Sequence, residues 1–314
     1  MKTTTTLLGG AVLALLAGAA QAEVSVQGSS GTLKFSGYAD AGVTGGDGLK
    51  DDGYGLISLK VKAETPKEDT LRFGATVSLK MYAQEGDVLV RDNEVWMSGD
   101  FGRLAFGDID SAYDVAMEET GMFVGMDDVH TSHVGYDTHA IADYNGAEVR
   151  KLVRFDRDFN PFTVHVSAGR DGADEMVLSL GGTWTKDLGP AEMKLGLGHQ
   201  STDGMKLTGV TALAKFDNGL RLGADWSTAD YEPGAKEFFE EHVGLGVNYS
   251  KDRLSMGVNW GRFDGGDRDG LEGVGVDVNW KLSKSAILSA GWNSDASWAD
   301  GDQARYGVGV RVVF

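Results

Sequence analysis

From Thr32 to Phe314 apolar and polar residues alternate with a period of two, the period of a strand whose successive side chains point to opposite faces. In the first such segment Leu33, Phe35, Gly37, Ala39, Ala41 and Val43 share one face, and Lys34, Ser36, Tyr38 and Asp40 the other. The next two repeat the scheme: Ile57, Leu59, Val61 and Ala63 oppose Ser58, Lys60 and Lys62, and Leu71, Phe73, Ala75, Val77, Leu79 and Met81 oppose Arg72, Thr76, Ser78 and Lys80. Such segments recur to Tyr306, Val308, Val310, Val312 and Phe314, and their number is about sixteen. Almost no stretch sustains a helical period, which predicts an all-β protein.

The pattern breaks once. After the strand at 93–98, the tight turn Gly99-Asp100-Phe101-Gly102 and the strand at 103–108, alternation stops between Ile109 and about residue 145. The first part of this insert, counted from Asp108 to Asp128, carries seven carboxylates (Asp108, Asp110, Asp114, Glu118, Glu119, Asp127 and Asp128), and three histidines (His130, His133 and His139) follow. A loop of that length inside a compact domain is functional or disordered as a rule. We expect it to fold into the mouth of a barrel.

Two features separate a membrane barrel from a soluble β-protein. Connections alternate between short ones (65–69, 99–102, 157–160, 187–190, 217–219, 250–253, 282–285) and longer Gly/Asp-rich ones (44–54, 85–91, 109–145, 229–240, 263–270, 294–304), the asymmetry of the two rims of an outer-membrane barrel. Aromatic residues also gather near the ends of the apolar faces: Trp96, Trp184, Phe216, Trp226, Tyr249, Trp260, Trp280 and Trp292. Amphipathic rings favour the membrane interface. The faces opposite the Val/Leu/Ala/Trp band carry Gly, Ser, Lys, Arg and Asn nearly throughout, too polar for a packed core. The pattern predicts a 16-stranded antiparallel transmembrane β-barrel with a wet interior.

The mean hydropathy of −0.21 does not disagree, because only every second residue of a transmembrane strand faces lipid. At the N-terminus Lys2 precedes the apolar run Leu7 to Ala19, and Ala20-Gln21-Ala22 has a small-x-small form. This predicts a signal peptide at 1–22, removed to leave a single barrel domain at 23–314. The apolar run is shorter than the roughly 20 residues a membrane helix needs.

The chain carries 29 Lys+Arg against 47 Asp+Glu, a formal charge of −18. Loss of Lys2 with the signal leaves 28 against 47, or −19. Nucleic acid is then an improbable partner, since phosphate binding needs basic surface, whereas cations and neutral or basic solutes suit such a field. With no cysteine, the chain has neither disulfides nor thiolate metal sites. Forty-six glycines with four prolines fit many short strands and turns rather than a disordered Pro/Gly chain.

At this point the residues resemble the trimeric general-diffusion porins of Gram-negative outer membranes, nearest the alphaproteobacterial type. The likeness covers essentially the whole mature chain. Its sharpest parts are Ser36-Gly37-Tyr38, the run from Trp96 to Asp114 with Phe106-Gly107-Asp108-Ile109-Asp110-Ser111-Ala112-Tyr113-Asp114, and the ending Tyr306 to Phe314. The resemblance implies a homotrimer of barrels in the outer membrane, each with a water-filled pore narrowed by the third long loop. It also implies an acidic loop facing a basic wall, for which Lys34, Lys60, Lys62, Arg72 and Lys80 are the candidates. Where relatives carry a pore arginine in the first strand this chain has Asp40, a departure that weakens the expected basic wall. The small residues Gly37, Ala39 and Ala41 offer a patch for a neighbouring copy.

Other chemistry is weighed on the same residues. The loop acids could bind Ca²⁺, with Asp108, Asp110, Asp127 and Asp128 as ligands, although no EF-hand spacing is present. His130 and His133 lack the spacing and the general base of a helical zinc site, so they read as polar loop residues. Ser132 beside His133 is not a triad, and no Gly-x-Ser-x-Gly turn occurs; the chain is expected not to be an enzyme. The function expected is passive diffusion of small hydrophilic solutes, with cations preferred and no cofactor. The alternatives are a solute-specific channel and a monomeric barrel hydrolase or adhesin.

Overall fold

The computed structural model describes residues 24–46, 49–83, 88–117, 151–170, 176–202, 204–235, 237–294 and 304–314. The insert beyond Met117 and the segment 1–23 therefore lie outside the described residues, and with them the predicted signal peptide. Among the described residues no helix is long and apolar enough to cross a membrane.

Seventeen strands follow in chain order: β1 (Val24–Gly28), β2 (Gly31–Gly46), β3 (Leu49–Glu64), β4 (Arg72–Tyr82), β5 (Val88–Gly99), β6 (Gly102–Gly107), β7 (Lys151–Asp158), β8 (Phe162–Arg170), β9 (Met176–Asp187), β10 (Ala191–Thr202), β11 (Met205–Phe216), β12 (Leu220–Tyr231), β13 (Glu241–Lys251), β14 (Leu254–Asp264), β15 (Glu272–Lys281), β16 (Ala286–Asn293) and β17 (Arg305–Val313). Between β6 and β7 the described residues form a short helix, α1 (Ala112–Ala116).

Each strand from β2 to β17 pairs antiparallel with the next, and β17 returns to β2, with Val313 opposite Tyr38 and Arg305 opposite Gly46. The sheet is thus closed, which leaves no unpaired edge in a medium that offers no hydrogen bonds. The extra strand does not add a stave. β1 pairs with β2 from Val24 opposite Phe35 to Gly28 opposite Gly31, while Phe314 exchanges both backbone hydrogen bonds with Gly37. The two chain ends therefore occupy successive stretches of one edge of β2, and together they make the sixteenth stave. Sequence reading starts the first strand at Thr32 and misses β1, whose few residues carry too short an alternation.

The alternation places the lipid band as expected. Val95, Phe106, Leu180, Leu197, Val247, Val258 and Val308 are among the large apolar side chains left exposed, and on each strand their neighbours in sequence turn inward. The outward aromatics form two belts. Trp184, Phe216, Tyr249 and Trp280 lie beside the short turns, and Trp226, Trp260, Trp292 and Tyr306 beside the long loops. Two of the latter use their polar edge: Trp226 Nε1 donates to Glu241 at 2.6 Å and Trp260 Nε1 to Glu272 at 2.8 Å. An indole with an apolar body and a bonded N–H is suited to the headgroup level.

Three expectations are corrected. Trp96 is not a belt residue: it is buried, while Val95 beside it on β5 is exposed, so the indole faces the lumen with Glu94 and Ser98. The stretch 44–54 is not a long loop, since β2 runs to Gly46 and β3 begins at Leu49. These two strands are the longest, at 16 residues each. Finally, positions 88–91 of the predicted loop 85–91 are strand, since β5 begins at Val88.

Candidate functional site

The inward faces differ around the barrel, and the start of the long insert shows why. Asp108 donates its backbone N–H to Asn93 O at 2.8 Å, which carries the chain off the end of β6. Ile109 then buries itself with Trp96, Ala105, Leu152 and Val177 on the lumen side of the wall. Asp110 is exposed, and its carbonyl accepts from Arg154 Nη1 at 2.6 Å. Ser111 caps α1, accepting from the N–H of Asp114 at 3.2 Å.

A helix leaves its first N–H groups without intrahelical partners, and here the barrel wall supplies them. Ala112 donates to Ser167 Oγ on β8 at 2.9 Å, and Tyr113 donates to Ser179 Oγ on β9 at 2.6 Å. Both serines are buried inward-facing residues. The wall beside them is glycine: a Cβ at Gly181 would fall on the Ala112 carbonyl, one at Gly196 on the Ala116 carbonyl, and one at Gly198 against the Tyr113 ring. At Gly209 it would meet both Met117 Cε and Tyr113 Oη at 2.6 Å. Absence of side chains along this track lets the helix backbone lie directly on the sheet, where any larger residue would hold it off.

The helix ends in an apolar cluster inside the barrel, in which Tyr113 and Met117 pack with Met205, Leu207, Ala229, Phe239 and Phe263. The start of the insert, 109–117, thus runs along the inner wall from β6 across β7, β8 and β9 to β11. Of the seven predicted acids, Asp108, Asp110 and Asp114 are placed, and Asp114 is buried on α1. Glu118, Glu119, Asp127 and Asp128 lie outside the described residues, as do His130, His133 and His139. Among the described residues no group of three acids or histidines could hold a metal ion. Beside Asp110 a guanidinium already stands, that of Arg154.

The predicted basic residues face the lumen on the other side. From β3 to β10 is seven steps around sixteen staves, so β2, β3 and β4 stand across the barrel from the track of α1. Lys34 is opposite Lys62, Ser36 opposite Lys60, and Ser58 opposite Lys80, all on inward faces. This wall is not uniformly basic, as the sequence suggests. Glu64 sits at its foot, with only 7% of its side chain exposed, and takes Lys62 at 3.1 Å, Lys34 at 3.6 Å and Arg72 at 3.6 Å. One carboxylate thus gathers three of the five candidates.

Trp96 stands behind them. Its ring covers Gly74, where a Cβ would collide with the indole, and Lys62, Arg72 and Arg103 each lie 5.5 to 5.8 Å from a ring centre. Cations attracted to an indole face and to carboxylates at once are held in register. Arg103 continues the network to both oxygens of Glu94 at 2.8 and 2.9 Å, and to Asp156 at 3.6 Å. Asp156 in turn accepts from Arg154 and lies 2.8 Å from His165 Nδ1.

Asp40 also finds a partner that sequence reading does not consider. Arg311 on β17 grips it with two bonds, Nε to Oδ1 at 2.8 Å and Nη2 to Oδ2 at 2.7 Å, and lies 4.4 Å from the Tyr38 ring centre. The acid does not stand alone on the wall. Strand parity alone signals Arg311 as an inward residue, because it alternates with Tyr306, Val308, Val310 and Val312; its partner, 271 positions away, is visible only once the barrel closes.

Known structures share this architecture. The chain is similar to three engineered mutants of Rhodopseudomonas blastica porin, with identities of 15, 15 and 14% and TM-scores of 0.66, 0.66 and 0.65. In each case the match covers 90% of this chain and 100% of that one. No curated protein matches the chain in sequence. The sequence family described as Gram-negative porin, in contrast, matches residues 9–311. A closed sixteen-stave barrel, a loop fastened inside it and a family match over nearly the whole length converge on one conclusion: the chain belongs to the Gram-negative porins, diffusion channels of the bacterial outer membrane.

Proposed function

We propose that this porin is a passive, cation-preferring pore for small hydrophilic solutes, working as a homotrimer, and that loop 109–145 forms its constriction. The observation that carries this reading is the docking of α1 on the inner faces of β8 to β11, which fixes the start of an acid-rich insert on the lumen wall across from Lys34, Lys60, Lys62, Arg72 and Lys80. Asp108, Asp110 and Asp114 belong to one side of the constriction, and Glu118, Glu119, Asp127 and Asp128 follow them in the insert. Three of the facing cations, Lys34, Lys62 and Arg72, are tied to Glu64 and their charge is partly offset, whereas the whole chain carries −18. A cation entering the lumen is favoured by that balance, and a ring of carboxylates is a usual means of cation selection.

Reversal potential across a planar bilayer under a KCl gradient tests this directly. Cation preference is expected; a chain that forms no pore, or one that prefers chloride, overturns the reading. Gel mobility of unheated, detergent-extracted protein tests the assembly: a species of three chains that dissociates on heating is expected, and a single-chain species contradicts it.

A further inference from the structure

The apolar cluster that receives α1 is built at the long-loop end of the lumen, from strands and from a loop. Met205 and Leu207 come from β11, Ala229 from β12 and Phe263 from β14, but Phe239 comes from the connection between β12 and β13. Loop residues of a porin ordinarily meet water, yet Phe239 has no exposed surface at all. Its ring meets Phe263 edge-on at 5.5 Å, within the preferred range for aromatic pairs.

Two loops hold it there. Tyr231 Oη donates to the Phe239 carbonyl at 3.0 Å and accepts from the N–H of Phe238 at 3.3 Å. The loop after β14 then fastens onto the same segment: Asp267 N–H donates to Glu237 O at 3.0 Å and Arg268 N–H to Phe238 O at 2.9 Å. Gly266, with φ +62°, turns tightly against the Phe238 backbone at 2.6 Å from a would-be Cβ. Arg268 lies over the Phe263 ring at 5.0 Å, on the outer side of the cluster. Glu240 N–H donates to Asp264 O at 2.8 Å and completes the join.

We propose that Phe239 is a positioning residue for the constriction: the interlocked loops at 232–240 and 265–271 press it into the lumen, and the cluster it completes holds Tyr113 and Met117 against the wall. The inference rests on the reading of the insert as the constriction. It adds that the pore's narrowest part is set from the long-loop rim as well as from the wall. Removing the ring leaves a void that close-packed neighbours fill only in part, so α1 gains room to leave Gly209 while the barrel's hydrogen-bonded wall stays closed.

Single-channel recording of the full-length porin decides it, with heat-modifiable gel mobility as the check that the barrel has folded. Phe239→Ala is expected to raise mean unitary conductance by roughly half and to split it into several levels, since conductance follows the radius at the constriction. Phe239→Leu, which keeps most of the volume, is expected to restore one level near the wild-type value. A folded Phe239→Ala channel with a single, unchanged conductance overturns the proposal. Should that variant fail to fold, Gly209→Ala decides instead, because it pushes Tyr113 and Met117 off the wall from the opposite side: split levels support the proposal and a wild-type trace overturns it. A wild-type protein that passes no current overturns the channel reading itself, a result distinct from unchanged conductance in a working pore.

Discussion

The inner wall of β2 to β5 and the inner wall of β8 to β11 belong to one continuous sheet, yet they are made of different chemistry. The first carries Lys34, Lys60, Lys62, Glu64, Arg72, Lys80 and Glu94 around one indole; the second carries Ser167, Ser179, Gly181, Gly196, Gly198 and Gly209. One wall holds charges apart by pairing them on shared carboxylates, and the other clears space so that a helix can lie flat. The contrast teaches that a barrel need not be symmetric inside to be symmetric outside. Hydrogen bonding between staves fixes the cylinder, and the inward half of each strand is then free to specialise.

The largest effect should follow from closing the cleared space. Gly196→Val places branched carbon where the Ala116 carbonyl now sits, and overpacking of this kind costs about 1–3 kcal/mol. Because the wall is bonded on both sides of β10, relief comes from moving α1 rather than the strand. Stability to heat in detergent should fall, and conductance should change more than for any substitution on the charged wall. A variant with unchanged conductance would show that the track does not carry the constriction.

How much of this contrast could be read in the sequence depends on the distance over which its causes act. Strand parity is local, so the outward band, the belts at Trp226, Trp260 and Trp292 and the inward lysines were all legible from alternation. Parity also turns Trp96 inward, since it shares a face with Glu94 and Ser98, although an aromatic near a strand end suggests a belt. The glycine track was written in plain view at 181, 196, 198 and 209, but a glycine in a strand does not say what approaches it. Only the docked helix does. Pairings such as Asp40 with Arg311 depend on barrel closure and leave no local trace. β1 is invisible for another reason: its five residues carry too short an alternation to read as a strand.

A smaller effect should come from the charged wall. Glu64→Gln removes the carboxylate shared by Lys34, Lys62 and Arg72, which leaves three inward cations with less compensation. Their attraction to anions in the lumen is screened by salt, and contacts between partly exposed charges are worth about 0.2–1 kcal/mol. The ratio of cation to anion permeability should therefore drop by about twofold, the equivalent of ~0.4 kcal/mol. The shift should shrink in concentrated salt. A change in conductance level without a change in selectivity would assign Glu64 to shape rather than to charge.

The smallest effect, and the one that separates charge from position most cleanly, concerns Asp40 and Arg311. Asp40→Asn leaves the guanidinium without its charged partner and should move selectivity toward anions, by less than Glu64→Gln because one cation is released instead of three. Arg311→Gln should move it the other way. The double variant has the same net charge as the wild type, and the two neutral amides can still bond across the closing seam between β2 and β17. Its reversal potential should return to the wild-type value within the scatter of the measurement. If instead the double variant stays shifted, the seam governs selectivity through its geometry, and the division between a wall that sets charge and a wall that sets shape does not hold at the closing strand.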